Sequence, residues 1–296
     1  MKKPIFTGAG VALVTPMNSD GSINFEEFGN LIEYQIDNNT DALIVCGTTG
    51  ESAVLNHKEH CDVISFTVEK VNKRIPVIAG TGSNDTAYSC KLSKDAQAMG
   101  VDGLLSVTPY YNKTSQQGLI KHFTAIADSV NIPIILYNVP SRTGCNILPE
   151  TYIPLSKHEN IYATKEASEN VGAAAQILAT CESDFGVYSG ADDLTVPIMA
   201  LGGIGIISVF SNIMPKEMHL ITELMLKGEY KEATKLHLKY LELMNIMFCD
   251  VNPIPVKEAM NLMGFNCGEC RLPLVPMNNA NLEKLKATLN KYGLLK

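Results

Sequence analysis

The stretch from Asn160 to Ser168 reads N-I-Y-A-T-K-E-A-S: a β-rich run, Ile161 to Lys165, with a lysine set into it. An ammonium left charged and unpaired in a core costs several kcal/mol, so the meaning of Lys165 depends on where the run sits in the fold. It is one of eight. Comparable runs occupy Val11 to Thr15, Ala42 to Cys46, Pro76 to Ala79, Gly103 to Val107, Pro133 to Tyr137, Gly186 to Tyr188 and Gly203 to Val209. Their starts lie about 27 residues apart on average, close to what one strand and its crossover helix need. Amphipathic helical stretches alternate with most of them, as at Asn24 to Asn38, Asn84 to Met99 and Thr114 to Val130. Eight such units predict an α/β fold, a closed (β/α)8 barrel of the TIM-barrel type. A doubly wound open sheet usually has fewer strands and a glycine-rich phosphate turn after the first, whereas the first turn here is Thr15-Pro16-Met17.

After Ile213 the pattern changes to helices over Pro215 to Leu226, Tyr230 to Met247 and Leu282 to Leu289, more than a last barrel helix requires. The expected division is a catalytic barrel over 1–226 and a C-terminal helical extension over 227–296, without a flexible linker. The composition, 46% hydrophobic and 19% charged, suits a globular chain able to bury a large core. The net charge of -7 comes without a basic run, so neither nucleic acid nor an anionic membrane is expected as partner. No stretch is long and apolar enough to span a bilayer. The start, M-K-K-P-I-F-T-G-A-G-V-A-L-V-T-P-M, superficially resembles an export signal, but glycines break its apolar run and no small-residue cleavage pattern follows. A cytoplasmic address is the default expectation. The 8 cysteines are scattered, several in apolar segments, so reduced thiols are expected. Cys267-Gly-Glu-Cys270 lacks the second pair or nearby histidine that a zinc site needs.

Many runs end in turn chemistry: Thr15-Pro16, Gly47-Thr-Thr-Gly50, Gly80-Thr-Gly82, Thr108-Pro109, Val139-Pro140 and Ser189-Gly190. In a barrel these carboxyl ends converge on the face where sites are built. Lys165 is the only Lys or Arg inside a predicted barrel strand, and it lies near the carboxyl end of the sixth. Burial disfavours the cation and favours the nucleophilic free amine, whose natural reaction is a Schiff base with a carbonyl substrate. Pairing with Glu166 is the bland alternative, but adjacent strand residues point to opposite faces. Tyr137 ends the neighbouring fifth strand, within reach of the amine as a proton shuttle; taken alone it reads equally as a core tyrosine. Gly47-Thr48-Thr49-Gly50-Glu51 offers backbone N–H groups and two hydroxyls as a nest for a carboxylate, although Thr and Gly are common in any turn. Arg142, just past the fifth strand, can grip a carboxylate in bidentate fashion or simply be a solvated loop arginine. The six histidines, at 57, 60, 122, 158, 219 and 237, fall in helical segments or connections and none ends a strand, which disfavours a metal-dependent aldolase or hydrolase.

Together G-T-T-G-E at 47–51, T-P-Y-Y-N-K at 108–113, Y-N-V-P-S-R-T at 137–143, Lys165 in A-T-K-E-A and S-G-A-D-D at 189–193 resemble the dihydrodipicolinate (4-hydroxy-tetrahydrodipicolinate) synthase family of lysine-dependent pyruvate aldolases, over essentially the whole chain. The resemblance implies condensation of pyruvate with L-aspartate 4-semialdehyde to 4-hydroxy-tetrahydrodipicolinate, the first committed step of lysine and diaminopimelate synthesis. It implies that Lys165 forms the imine and that Tyr137, Thr48 and Tyr111 relay protons, Tyr111 reaching in from a neighbouring subunit. Thr49 is expected to seat the pyruvate carboxylate, Arg142 to hold that of the semialdehyde, and Gly190 and Ile207 to supply backbone contacts. It further implies a homotetramer, a dimer of dimers, and no metal or organic cofactor.

N-acetylneuraminate lyase and 2-keto-3-deoxy sugar-acid aldolases share the lysine, the tyrosine and the G-[ST]-T-G-E loop, so Arg142 is what favours the synthase over them. A silent barrel serving as a scaffold is expected to have lost Lys165, Tyr137 or Thr48, and all three are present. Positions matching the lysine-binding interface of feedback-inhibited members are Ser52, Ala53, His57, His60, Asn84 and Tyr110, and Tyr88 stands where those members carry a glutamate. Loss of that charged partner predicts weak or absent lysine feedback.

Overall fold

The computed structural model describes residues 2–295. Eight parallel strands close into a barrel in sequence order: β1 (Gly8–Ala12), β2 (Ala42–Val45), β3 (Val77–Gly80), β4 (Gly103–Val107), β5 (Ile134–Asn138), β6 (Ile161–Glu166), β7 (Gly186–Ser189) and β8 (Gly205–Ser208). Between them run α1 (Phe25–Asp37), α2 (His57–Val71), α3 (Thr86–Met99), α4 (Gln116–Asp128), the short α5 (Pro140–Thr143), α6 (Pro149–Ser156), α7 (Val171–Thr180) and α8 (Thr195–Ala200). After β8 come α9 (Pro215–Leu226), which packs against β1, then α10 (Tyr230–Ile246), α11 (Ile254–Leu262) and α12 (Asn279–Lys291). The (β/α)8 barrel with C-terminal helices is therefore present as the sequence predicts.

The period of two along each strand sorts the core into two layers. Ala42, Ile44, Ile135, Tyr137 and Ala163 face inward with Ile78, Leu105 and Ile207. Leu43, Val45, Ile134, Leu136 and Val187 face the helices. Each fully buried Leu, Ile or Val contributes about 1.5–3 kcal/mol relative to exposure. At the amino-terminal end of the strands Phe6 stacks on Tyr188, ring centroids 4.5 Å apart, and the tyrosine hydroxyl donates to the Phe6 carbonyl at 2.6 Å. This pair floors the barrel interior.

Helix starts follow local chemistry. Asn24, Asn56, Asp85, Ser115, Asn170 and Asn278 each accept from a backbone N–H in the first turn, and Asn56 with Glu59 completes a reciprocal capping box. Two strand readings shift. The first strand starts at Gly8 rather than Val11, because Gly8 and Gly10, weak strand formers, are required there: a Cβ on Gly10 would lie 2.6 Å from Ile44 Cδ1 and 2.7 Å from Phe6 Cζ. After a last ladder bond from Leu13 N–H to the Ile44 carbonyl the chain leaves β2, and Asn212 takes over, accepting from Val14 N–H and donating to the Ala12 carbonyl. The eighth strand is shorter than Gly203 to Val209, since Gly203 N–H closes a turn on Ile198. Helix α11 was not foreseen: Pro253-Ile-Pro255 reads as a breaker, yet proline suits a helix's first turn, where no N–H is needed.

The β7–β8 seam has two register pairs, Tyr188↔Gly205 and Ser189↔Ile206, fewer than any other seam. The buried Asp192 carboxylate supplements it, accepting from Ser208 Oγ at 2.6 Å, Phe210 N–H at 3.0 Å and Val209 N–H at 3.2 Å. Burial pushes this carboxyl up against the opposing effect of those bonds and of the Lys165 charge.

Candidate active site

Lys165 is the fifth residue of β6, two after inward-facing Ala163, so it points into the barrel mouth. It is 5% exposed and in register with Tyr137 on β5. Its Nζ lies 4.4 Å from the centroid of the Tyr137 ring. Glu166 faces the other way and is held elsewhere: it accepts from Ser168 N–H at 2.7 Å, Asn138 Nδ2 at 3.1 Å and Tyr152 Oη at 3.4 Å. Burial raises the Glu166 carboxyl despite these bonds. The ion pair that would have made Lys165 structural is thus not formed.

A cavity of about 400 Å³ opens over the lysine, lined by Thr49, Tyr137, Arg142, Lys165, Gly190, Asp192 and Asn252 among others. Beneath the loop after β2 lies a smaller void of about 30 Å³, lined by Thr48, Gly80 and Tyr137. Tyr137 is therefore a wall common to the lysine cavity and the Thr48 pocket. Gly190 lets the backbone close on the cavity; a Cβ there would lie 2.5 Å from Ala167 Cβ, and its N–H donates to the Glu166 carbonyl at 2.8 Å. Ile207 is fully buried in the inner layer with Tyr137 and is not among the residues that line the two cavities.

The loop Gly47 to Glu51 is bracketed by two left-handed residues, Cys46 at φ 54° and Glu51 at φ 56°. A non-glycine residue in this region costs about 1–2 kcal/mol, and here tertiary bonds offset it. The Glu51 carboxylate is almost fully buried, receives Lys257 Nζ at 2.9 Å and accepts from Arg271 N–H at 2.8 Å. The Lys257 ammonium also donates to the Glu269 carbonyl at 2.8 Å. Asn252 adds a second tie: its Nδ2 donates to Thr49 Oγ1 at 3.0 Å, and its carbonyl accepts from Arg142 Nη2 at 3.3 Å. One residue outside the barrel strands thus positions both expected carboxylate-binding groups.

Lys165, Tyr137, Thr49, Arg142 and Gly190 come together, with Thr48 next door across Tyr137. Tyr111 does not join them within the chain: it is 91% exposed, at φ 69°. Of the positions matched to a lysine groove, His57 and Tyr88 meet, Nδ1 to Oη 3.4 Å, while buried His60 lies 2.8 Å from the Gly80 carbonyl. Asn84 accepts from Asn112 Nδ2 through its carbonyl, and Tyr110 is 37% exposed. Ser52 borders the Thr48 void, and Ala53 lies in the short turn Ser52–Val54 beside it. Among the described residues all the cysteines are free, and burial pushes both Cys267 and Cys270 up to about 12. The residues that sequence reasoning missed are Asn252, Lys257 and Asp192. The signals for Asn252 and Lys257 were faint: an Asn-Pro dipeptide and a lone lysine in an apolar helix.

Comparison with known proteins agrees with this geometry. The profile of the Dihydrodipicolinate synthetase family matches residues 5–292. The 4-hydroxy-tetrahydrodipicolinate synthase of Acetivibrio thermocellus is 54% identical over 100% of both chains, and that of Thermoanaerobacter sp. is 55% identical over 99% of both. The crystal structure of dihydrodipicolinate synthase from Aquifex aeolicus superposes with a TM-score of 0.96 at 46% identity, covering 98% of this chain and 100% of that one. None of these relatives is a sugar-acid lyase. A match of such length, on a chain that places a lysine and a tyrosine in register at the barrel mouth, makes this protein a member of the dihydrodipicolinate synthetase family.

Proposed function

We propose that this enzyme condenses pyruvate with L-aspartate 4-semialdehyde through a Schiff base on Lys165, giving 4-hydroxy-tetrahydrodipicolinate for lysine and diaminopimelate synthesis. The observation that carries the reading is the Lys165–Tyr137 pair in register beneath a cavity rimmed by Thr49 and Arg142. The Lys165 amine attacks the pyruvate C2 carbonyl, and one water leaves as the imine forms. Loss of a C3 proton gives an enamine, whose carbon attacks the semialdehyde carbonyl while the aldehyde oxygen takes up a proton. The substrate's own amine then displaces Lys165 from the imine, closing the ring and freeing the enzyme.

Tyr137 is placed to hand protons between the lysine cavity and Thr48, with Tyr111 of a second protomer completing the relay. Thr49, held by Asn252, seats the pyruvate carboxylate, and Arg142 holds that of the semialdehyde. Gly190 and Ile207 contribute backbone groups. The exposed Tyr111 is free to complete a neighbouring protomer's site, in keeping with the homotetramer, a dimer of dimers, that the family resemblance implies, and the enzyme acts on small molecules, with the cytoplasm as the expected address. The barrel over 1–226 carries the chemistry, and the extension over 227–296 braces it through Asn252 and Lys257. At the groove formed by Ser52, Ala53, His57, His60, Asn84, Tyr88 and Tyr110, the missing glutamate weakens lysine binding by about 1 to 3 kcal/mol. The enzyme is therefore expected to keep its activity in lysine, and inhibition at low-micromolar lysine in an initial-rate assay would overturn that expectation.

Incubation with pyruvate followed by borohydride tests the chemistry, because reduction makes an imine permanent. A single adduct on the peptide containing Lys165 is expected; none, or one on another lysine, excludes the mechanism. Supplying acceptors in turn then tests the substrate, and faster pyruvate consumption with a sugar aldehyde than with the semialdehyde would reassign it.

A further inference from the structure

Away from the cavity, α2 and α3 bring three metal-ligating side chains to one point. His57 opens α2 and Cys61 lies one turn on, so the two share a face; Asp95 comes from α3 beside them. His57 Nε2 is 3.3 Å from Asp95 Oδ2 and 3.7 Å from Cys61 Sγ, and the three ligand atoms lie within 4.8 Å of one another. Ordinary zinc bond lengths in a tetrahedral centre space a nitrogen and an oxygen about 3.3 Å apart, and a nitrogen and a sulfur about 3.6 Å. A His–Asp ion pair accounts for the first distance, and the i,i+4 spacing on α2 brings the thiol to the same ring nitrogen, so all three donor atoms converge on one point at metal-ligand spacings. The other ring nitrogen, Nδ1, faces Tyr88 Oη at 3.4 Å. An Nδ1–H donated to that hydroxyl leaves the Nε2 lone pair directed at Asp95 and Cys61, the outer contact that a metal-binding imidazole commonly has. In the single chain His57 and Asp95 are 38% and 36% exposed.

We propose that His57, Cys61 and Asp95 bind one borderline-soft divalent cation of the zinc type, with its fourth position open to water or another ligand. The site shares His57 and Tyr88 with the lysine groove of the preceding section but does not rest on it. Binding breaks the Cys61 S–H bond: the proton goes to solvent, the sulfur lone pair forms the metal bond, and no oxidation occurs. Facing that thiol are His57 and Asp62 from α2 and Tyr88, Lys91 and Asp95 from α3. Because the thiol must lose its proton to bind, protons compete with the metal as pH falls. A bound ion ties α2 to α3.

The test is a cobalt(II) titration of the full-length protein after chelator treatment and dialysis. Visible bands of tetrahedral type with a near-ultraviolet thiolate charge-transfer band, saturating at one cobalt per protomer and displaced by zinc, are expected. Cys61→Ser should abolish the charge-transfer band, His57→Ala should abolish binding, and Tyr88→Phe should weaken it about tenfold. Zinc should raise Tm in the parent and not in Cys61→Ser, whose circular dichroism reports that it is folded. Absence of the bands, or bands that survive Cys61→Ser, would place no metal at this site and overturn the proposal.

Discussion

Lys165 and Arg142 differ in how much of their setting is local. Lys165 gets its orientation from the strand's period of two and its environment from the next strand, so both were readable from short segments. Arg142 sits on a short helix after β5 and is steadied by the carbonyl of Asn252, 110 residues away. Truncation of Arg142 to Ala removes the proposed bidentate contact and the bond to the Asn252 carbonyl, while the Asn252 amide can still hold Thr49 on the pyruvate side. KM for the semialdehyde should rise about 10- to 100-fold, as expected for loss of charge-assisted bonds worth about 1.5–3 kcal/mol, while the borohydride-trapped pyruvate adduct forms as before. Loss of the adduct in this variant would mean that Arg142 acts on the first substrate instead. For Asn252 the Asn-Pro dipeptide marks a turn, but nothing in Val251-Asn252-Pro253 indicates that the amide will reach Thr49.

At the scale of elements, the loop after β2 owes its shape to a helix far along the chain. Glu51 and Lys257 are both almost wholly buried, and each is the other's charge partner. Replacing Lys257 by Met leaves a buried carboxylate without its cation, and destabilisation of about 3–5 kcal/mol is expected, read as a fall in Tm or in the urea midpoint. Adding Glu51→Gln to Lys257→Met should recover part of it; a double variant whose loss equals the sum of the two single losses would show that the pair is not coupled. Strand and helix existence was legible because period and capping are local signals, as Asn24 and Ser115 show. The start of β1 and the whole of α11 were not, since glycine at a crowded contact and proline in a first turn both read as breakers until the neighbours are known.

For the whole molecule, two expectations concern assembly and acid. If Tyr111 completes a neighbour's site, Lys165→Ala and Tyr111→Phe are each impaired alone, but a mixed dimer contains one intact site. Co-refolding equal amounts should restore roughly a quarter of the parent rate under random pairing, and no recovery would place Tyr111 outside the relay. Acid stability should carry the mark of His122, which is buried between α3 and α4, contacts Thr86 Oγ1 at 2.8 Å, and is held by burial to about 4 against an ordinary value of 6.5. As pH falls the unfolded chain takes up this proton first, so stability present above about 6.5 is lost down to about 4 and changes no further below. Half-buried Asp41 and buried Glu166 and Asp192 are pushed up and act in the opposite sense, so the informative quantity is a difference. The urea midpoint of His122→Gln should fall less than that of the parent between pH 7 and pH 4.5; equal falls would remove His122 from the account.

The seam between β7 and β8 bears on how such a barrel can vary over generations. A ladder of backbone bonds depends little on which side chains it carries, so the longer junctions of the barrel tolerate codon changes that respect size and polarity. At the β7–β8 junction, with two register pairs, part of the closure is written in Asp192, a residue that also lines the substrate cavity. Drift at that one position is tested twice, once by the chemistry and once by the integrity of the ring, and a lineage exploring new acceptors has less freedom there than at the loop residues around it.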